Sequence, residues 1–345
     1  MAKRVFVGMS GGVDSSTAAA LLAEQGYSVT GVYMKNWSQD LPGMECPWRE
    51  DLADAKRVAV QLGIDFEVFD FQREYKQKVV DYMLDEYRAG RTPNPDIMCN
   101  QEVKFKLFLE AALAAGAEYI ATGHYARTSE GRLLRAHDDN KDQTYFLYRV
   151  TSEALAKTMF PLGDFTKAEV REMAKERGLW TASKKESMGI CFVGQVGIRE
   201  FLSEYVEFKP GNIIDQQTGV AIGRHDGAIF YTLGQRHGLN IGGGLPYYVV
   251  GKDMDKNEVY VSRSIDNGNL WKKELTLTDI HWINRPPEKD ETVQVRLRHR
   301  GALIDARIDG DIIYLSSPER AVAPGQSAVI YDGEECLGGG IVKTD

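Results

Sequence analysis

A glycine- and serine-rich segment near the start of the chain has residue types that suit a phosphate group. Residues 8–16 read "GMSGGVDSS" and contain two adjacent glycines and the hydroxyls of Ser10, Ser15 and Ser16. The stretch "RVFV" before them has the pattern of a strand, and "STAAALLAEQG" after them has the pattern of a helix. Because the free N–H groups of a helix N-terminus bind anions, this segment predicts a phosphate site.

This segment can be compared with three kinds of phosphate-binding loop. A Walker A loop requires a lysine after its last glycine, and none follows in this sequence. The G-x-G-x-x-G spacing of a dinucleotide fingerprint is absent too. The remaining pattern, S-G-G-x-D-S-S, suits a pyrophosphate, with Asp14 positioning a metal ion or capping the helix. An ordinary strand–turn–helix with Asp14 as N-cap is the alternative that involves no ligand.

The chain has four cysteines, and two of them lie in distinctive surroundings. Cys99 lies in "RTPNPDIMCNQEVKF" and Cys191 in "ESMGICFVG", whereas Cys46 and Cys336 match no motif. No C-x-x-C pair occurs, so a zinc ribbon is disfavoured. "CNQEVKFKLF" predicts a helix that begins at Cys99, and the helix N-terminus would then favour its thiolate.

The elements that must position these residues change in type along the chain. The first two hundred or so residues alternate between strand and helix patterns, which predicts a parallel sheet covered on both faces. Gly63 predicts the end of one helix, and Thr166 with Glu169 predicts a capping box at the start of another. Short β-branched segments follow and predict a β-barrel or sandwich. We expect domains at residues 1–205, 206–272 and 273–345.

The net charge and the hydropathy of the chain limit its possible partners and its cellular location. The net charge of −8 argues against a generic, salt-driven nucleic-acid binder, although a local basic stripe is compatible with it. No apolar run is long enough to span a bilayer, and the N-terminus lacks a signal-peptide pattern. We therefore expect a cytoplasmic protein.

The segment "SGGVDSS" resembles the PP-loop of the ATP pyrophosphatases, which cleave ATP between its α- and β-phosphates. Together with the sequences around Cys99 and Cys191, it resembles the tRNA-uridine 2-sulfurtransferases (2-thiouridylases, the MnmA family) over essentially the whole chain. The resemblance implies an N-terminal α/β domain with a Rossmann-like parallel sheet, followed by two small, mainly β domains. The last of these would be a β-barrel that contacts tRNA.

The resemblance also implies the reaction, which is ATP-dependent 2-thiolation of the wobble uridine, U34, in the tRNAs for Lys, Glu and Gln. Uracil O2 is adenylated so that AMP can leave, and Mg²⁺ accompanies the ATP. Cys191 carries a persulfide that supplies the sulfur, and Cys99 attacks its S–S bond, leaving a disulfide that a reductant resets. Asp96 matches the general acid/base candidate of the family, and an N-cap role is its alternative. The sulfur would come from a persulfide-donating carrier or a cysteine desulfurase.

The family pattern assigns two further sets of residues. Those implied to bind ATP are Gly8, Met9, Ser10, Gly11, Gly12, Val13, Asp14, Ser15, Ser16, Met34 and Gly123. Those implied to contact tRNA are Asn94, Pro95, Asp96, His124, Lys141, Asp142, Gln143, Arg298, His299 and Gln326. His299 stands where relatives often have Tyr, so stacking on a base is less firmly implied there.

One basic stripe is expected from strand geometry. In "VQVRLRHR" a continuous strand would place Arg296, Arg298 and Arg300 on one face, which would suit a phosphate backbone.

Other functions remain open at this point. A PP-loop synthetase that adenylates a small-molecule carbonyl would not need the two cysteines, and its AMP formation would not depend on tRNA. A non-enzymatic RNA-binding module is disfavoured by the intact Ser10–Ser16 segment. Within the thiolation hypothesis, an iron–sulfur cluster on Cys99, Cys191 and a third ligand such as Asp96 is a less favoured variant.

Overall fold

The computed structural model describes residues 2–40, 46–185, 197–242, 246–264 and 270–343. Within these residues no helix is both long and apolar enough to cross a membrane.

The strands in chain order are β1 (Arg4–Gly8), β2 (Ser28–Lys35), β3 (Asp65–Asp70), β4 (Tyr119–Ala121), β5 (Arg127–Ser129), β6 (Arg132–Leu134), β7 (Thr158–Met159), β8 (Gly211–Asp215), β9 (Ala221–His225), β10 (Tyr248–Asp253), β11 (Glu258–Ser262), β12 (Trp271–Trp282), β13 (Val293–Arg296), β14 (Ile304–Asp309), β15 (Ile312–Arg320), β16 (Ser327–Asp332) and β17 (Glu335–Val342).

The α-helices are α1 (Val13–Glu24), α2 (Trp48–Leu62), α3 (Gln72–Tyr75), α4 (Asp81–Arg88), α5 (Pro95–Met98), α6 (Phe108–Ala114), α7 (Ser152–Ala156), α8 (Lys167–Glu176) and α9 (Ile198–Tyr205). Two π-helical segments, Lys76–Val80 and Cys99–Leu107, join α3 to α4 and α5 to α6. Short 3₁₀ turns cover Thr144–Phe146 and Ala228–Phe230.

The N-terminal part is a parallel sheet in the order β3-β2-β1-β4-β7, with helices on both faces. The central strand β1 shows why the sheet is covered twice. Val5 and Val7 lie in an apolar cluster that includes Leu22 of α1, whereas Phe6 between them lies in another cluster with Phe108 of α6. Because side chains alternate along a strand, an apolar run such as this one must be buried on both sides. The predicted α/β class is confirmed.

Two predicted helix ends are also found. Gly63 follows α2 in the left-handed conformation with φ of 64°, which glycine adopts without steric penalty. At the start of α8, the Glu169 N–H donates to Thr166 Oγ1 at 3.3 Å, and the Thr166 N–H donates to a carboxylate oxygen of Glu169 at 2.7 Å. This reciprocal capping fixes the N-terminus of α8, which contributes a residue to the site below.

The rest of the chain is mainly β. The central sheet has the order β10-β11-β8-β9 around a small apolar core. Strands β12-β15-β14-β13-β16-β17 follow one another in a second sheet, and the pairing of β12 with β17 closes it into a barrel. The predicted terminal barrel is therefore confirmed.

A hairpin from the N-terminal part extends the barrel sheet. Strands β5 and β6 pair with each other, and β6 pairs with β17 through Leu133 opposite Cys336 and Leu134 opposite Glu335. These two strands are not predicted from the sequence, because three residues each are too few to show a period of two. The hairpin ties the first part of the chain to the last one.

Candidate active site

Residues 8–16, called the PP-loop below, turn from the end of β1 into the first turn of α1. The Ser10 N–H donates to Ser15 Oγ at 3.2 Å, and the two serine hydroxyls are 3.3 Å apart. Ser15 and Ser16 donate to the carbonyl oxygen of Gly12 at 3.2 and 2.8 Å. Gly12 is the N-cap and supplies no side chain. The predicted hydroxyls are therefore gathered at the N-terminus of a twelve-residue helix, an arrangement that suits phosphate oxygens.

Asp14 does not cap the helix, so the N-cap interpretation of this residue is wrong. Instead its carboxylate accepts two hydrogen bonds from Lys167 Nζ, at 2.6 and 2.7 Å, and one from the Tyr125 hydroxyl at 2.9 Å. The Asp14 side chain is 33% exposed and that of Lys167 is 12% exposed. Lys167 is the first residue of α8, so the helix that the capping box fixes delivers a cation to the PP-loop.

Sequence reasoning missed Lys167 and Tyr125, which are far from the PP-loop in the chain. The capping-box motif gave one usable signal, because it placed Lys167 at a helix start. A Walker loop carries its lysine within the motif, whereas this chain brings one in from another helix.

Glycines allow close approach around the PP-loop. A Cβ on Gly123 would lie 2.7 Å from the Ser15 nitrogen, so the segment after β4 contacts the first turn of α1 directly. Gly11 has φ of 73°, and a Cβ there would lie 2.4 Å from the Asp51 carbonyl oxygen in α2. Met34 of β2 covers Gly8, with its Cε 2.8 Å from where a Cβ would stand. The residues implied to bind ATP thus lie together at the carboxyl edge of the sheet, where open α/β sheets bind ligands.

Residues 92–99, called the Cys99 loop below, differ from the prediction in where the helix begins. The helix begins at Pro95, and Asn94 is its N-cap, accepting a hydrogen bond from the Asp96 N–H at 3.2 Å. The N-cap interpretation of Asp96 is therefore wrong. Cys99 is 2% exposed and begins the π-helical segment, so it follows the first turn and is not itself the helix start. The predicted effect of the helix N-terminus on Cys99 is reduced, because it fades beyond the first turn.

The positive charge of Lys104 acts on two other titratable groups, Asp96 and His124. Burial raises the pKa of Asp96, and the positive charge of Lys104 lowers it in part. Burial lowers the pKa of His124 well below its ordinary value, and Lys104 lowers it further. A raised carboxyl pKa suits a group that must exchange a proton near neutral pH. Lys104 lies five residues after Cys99, which is the spacing of hydrogen-bonded residues in a π-helix.

His124 is enclosed by other side chains. Its Nδ1 is 2.8 Å from Thr122 Oγ1, and its ring lies against Phe105 and Phe160 with centroid separations of 5.7 and 6.2 Å. These ring contacts resemble those of a core histidine, but His124 is only partly buried, and its predicted contact with tRNA stays a prediction.

The expected arginine stripe is wrong. Strand β13 ends at Arg296, whose side chain is 6% exposed and donates to Asp142 Oδ2 at 2.7 Å. Arg298 is 61% exposed and pairs with Glu319 at 2.6 Å. Arg300 has φ of 60° and donates to the Asn140 carbonyl oxygen at 2.9 Å. The alternation of a strand does not continue past Arg296, because the chain turns there.

Four of the other residues implied to contact tRNA make contacts within the protein. Asp142 is fully buried against Arg296 and the Thr144 hydroxyl, which makes it structural in this conformation. The ring of His299 lies 4.6 Å from that of Phe146. Gln143 Oε1 accepts from the Tyr125 N–H at 2.9 Å. Gln326 donates to the Thr92 carbonyl oxygen at 2.6 Å, which brings the barrel to the Cys99 loop.

Cys191 lies outside the described residues, so its predicted position beside Cys99 stays a prediction. Cys46 and Cys336 are buried, and burial raises the pKa of both thiols. Among the described residues, no group of three or more His, Cys, Asp and Glu side chains is arranged to hold a metal ion.

Comparisons with known proteins cover nearly the whole chain. Family models match residues 3–195 ("tRNA methyl transferase HUP domain"), 199–263 ("tRNA methyl transferase PRC-barrel domain") and 272–342 ("Aminomethyltransferase beta-barrel domain"). A protein of Bacillus subtilis named tRNA-specific 2-thiouridylase MnmA is 49% identical, over 98% of this chain and 94% of that protein. A protein of Geobacillus kaustophilus named tRNA-specific 2-thiouridylase MnmA 2 is 50% identical, with the same coverage. On this evidence the chain belongs to the tRNA-specific 2-thiouridylase (MnmA) family.

Proposed function

We propose that this protein uses ATP to replace O2 of the wobble uridine U34 by sulfur in the tRNAs for Lys, Glu and Gln. The observation that carries the proposal is the identity of about half of all residues with proteins named 2-thiouridylases over 98% of the chain. The site supports it, because one sheet edge holds a hydroxyl-rich loop suited to pyrophosphate, and a buried cysteine begins the π-helical segment after α5.

The first step is adenylation of the base. Uracil O2 attacks the α-phosphorus of ATP, the bond to the bridging oxygen breaks, and pyrophosphate leaves. Ser10, Ser15 and Ser16 would bind the departing phosphates through hydroxyls and N–H groups. Lys167 would offset their charge, which requires its Nζ to turn from Asp14 toward the phosphates. Donors aimed at developing charge usually make the largest contribution to such a step.

The second step transfers sulfur. The terminal sulfur of a Cys191 persulfide attacks C2 of the adenylated uridine, and AMP leaves with the former O2. The Cys99 thiolate then attacks the Cys191 sulfur, the S–S bond to the base breaks, and 2-thiouridine is released. A Cys99–Cys191 disulfide remains, and an external dithiol reduces it. Asp96, with its raised pKa, would move the proton at the base.

The residues near the PP-loop do not form a ready magnesium site. Lys167 donates to both oxygens of Asp14. We therefore assign no step to Mg²⁺, which in nucleotide sites is often held largely by phosphate oxygens. The iron–sulfur variant depends on Cys191 and has no support from the described residues. A persulfide-donating protein would load Cys191.

We also propose that the chain divides at residues 1–205, 206–272 and 273–345, and that it works in the cytoplasm. Limited proteolysis with mass spectrometry of the fragments tests the division, and cell fractionation tests the location.

The test is nucleoside mass spectrometry on tRNA incubated with the protein, ATP, Mg²⁺ and a persulfide donor. We expect 2-thiouridine at U34 with the wild type and none with Cys99→Ser or Cys191→Ser. Cys336→Ala is the matched control, because this buried thiol lies in the barrel. Persulfide loading is measured separately and should be lost only in Cys191→Ser. Sulfur transfer by Cys191→Ser would overturn the proposed role of Cys191. AMP formation without tRNA would instead favour a small-molecule synthetase.

A further inference from the structure

Thr92 lies in the loop between α4 and α5 and bonds to two other parts of the molecule. Its N–H donates to the Pro324 carbonyl oxygen at 3.0 Å, and its own carbonyl accepts from Gln326 Nε2 at 2.6 Å. Its hydroxyl is 3.1 Å from the hydroxyl of Thr232. Pro324 and Gln326 belong to the barrel, and Thr232 lies between β9 and β10, in the segment with the central sheet that we call the central part. We call these four residues the Thr92 junction.

Glycines on both sides of the junction allow backbone contact. Gly325 has φ of 88°, and a Cβ there would lie 2.9 Å from the Thr92 nitrogen and 2.9 Å from Arg91 Cβ. Gly90 has φ of 77°, and a Cβ there would lie 2.6 Å from Met254 Cγ in the central part. Side chains would force these surfaces apart, so the loop is fitted closely to both of its neighbours.

The loop leads directly from the junction to the reacting groups. Pro93 and Pro95 flank Asn94, and both prolines are buried. Proline fixes its own φ and restricts the residue before it, so little freedom remains between Thr92 and the cap of α5. Asn94 accepts from the Asp96 N–H, and Cys99 follows at the end of the same helical turn. A displacement at Thr92 therefore moves Asp96 and Cys99 instead of being absorbed in the loop.

We propose that Thr92 is a positioning residue, through which the central part and the barrel set the placement of Asp96 and Cys99. This inference rests on the proposed function for its link to tRNA. A tRNA held by the barrel at Gln326 would act on the sulfur-transfer loop through the same junction. The PP-loop has none of these contacts and would be unaffected.

The test removes the hydroxyl pair from either side. Thr92→Val and Thr232→Val each delete one hydroxyl with little change of shape. We expect each to lower the single-turnover thiolation rate about fivefold, the value of one ordinary hydrogen bond. The double variant should be no slower than either single variant, because both lose the same contact. Dissociation constants for tRNA and ATP should stay within about twofold, since the junction acts on placement and not on binding.

Two control variants accompany these. Thr92→Ser keeps the hydroxyl and should restore most of the rate. Thr218→Val changes an exposed threonine in the turn after β8 and should have no effect.

Hydrogen exchange gives a readout that does not depend on activity. In Thr92→Val, amides of residues 96–100 should exchange faster than in the wild type, and amides of α1 should not. Multiplicative rate losses in the double variant, or unchanged exchange at residues 96–100, would overturn the inference. If the wild type thiolates no tRNA, the proposed function fails, and the exchange result still decides whether Thr92 positions the loop.

Discussion

The PP-loop is held by its own hydrogen bonds and by partners from the N-terminal part of the chain, whereas the loop that carries Asp96 and Cys99 is held from three parts of the chain. Within the PP-loop, hydrogen bonds join Ser10, Gly12, Ser15 and Ser16. At the Thr92 junction the partners come from the central part of the chain and from the barrel. We therefore expect nucleotide binding to depend on the N-terminal part of the chain alone, and sulfur transfer to depend on all three parts.

The largest expected effect comes from removing the buried ion pair of Arg296 and Asp142, which should lower stability and leave nucleotide binding unchanged. Arg296→Met would leave the fully buried Asp142 with Arg135 at 3.8 Å as its remaining charged neighbour. Losing one member of a buried pair destabilises a protein by about 3–5 kcal/mol. We expect a loss near the lower end of that range, because Arg135 would still offset part of the charge of Asp142. Urea unfolding measures this loss. ATP affinity of the folded protein should change little.

The surface variant Arg177→Met is the control for that measurement. Arg177 pairs with a half-exposed Glu24, and exposed pairs contribute about 0–1 kcal/mol. An equal loss of unfolding free energy in both variants would mean that the buried pair of Arg296 and Asp142 contributes no more to stability than an exposed pair does.

Lys167→Met tests the PP-loop and the adenylation step proposed for it. Removing one well-placed donor from developing charge typically slows a reaction by about 10²–10³-fold. We expect that loss in tRNA-dependent pyrophosphate release, with tRNA affinity retained. Lys175→Met on the same helix is the matched control, because Lys175 is 62% exposed and pairs only with Glu172 among the described residues. A similar rate for both variants would remove Lys167 from the adenylation step.

Asp96→Asn tests the sulfur-transfer part of the site, through the thiolation rate and through the pH dependence of stability. Loss of a general acid/base slows the reaction by about 10²-fold or more, measured as 2-thiouridine formed per minute. Burial raises the pKa of Asp96, so the native state holds this proton more tightly than the unfolded chain does. The contribution of Asp96 to stability therefore falls as pH rises above the ordinary carboxyl pKa.

The asparagine variant should accordingly be more stable than the wild type at neutral pH and no more stable in acid, by urea unfolding at both. A variant that is destabilised at neutral pH would show that the carboxylate is stabilised by its surroundings.

Arg298→Ala gives the smallest expected effect and concerns tRNA alone. Arg298 is 61% exposed, so its loss should leave stability within about 0.5 kcal/mol. If it contacts a phosphate, tRNA affinity should fall by a few-fold and the salt dependence should weaken by about one unit of slope. Glu319→Gln should raise affinity slightly by releasing Arg298. An unchanged salt dependence would place tRNA elsewhere on the barrel.

What could be predicted from sequence follows the same division between local and distant contacts. The PP-loop, the helix end at Gly63 and the capping box at Thr166 depend on adjacent residues, and each lies where expected. Lys167, Tyr125 and Thr232 enter the site from remote segments, and no spacing in the chain reports such contacts. The family resemblance named Gln326 but not its bond to Thr92.

The errors have equally physical causes. The arginine stripe assumed that a strand continues, and the positive φ of Arg300 shows a turn instead. The N-cap interpretation of Asp96 overlooked Asn94, although Asn followed by Pro is itself a common helix start. In both places the sequence contained a turn signal that a longer pattern obscured.

The hairpin of β5 and β6 has a consequence for synthesis on the ribosome. Its partner β17 is the last strand among the described residues, so the hairpin is made long before its neighbour exists. Until then it presents an unpaired edge, and contacts between such distant segments form late. A nascent chain that stalls before β17 would be open to aggregation at this edge.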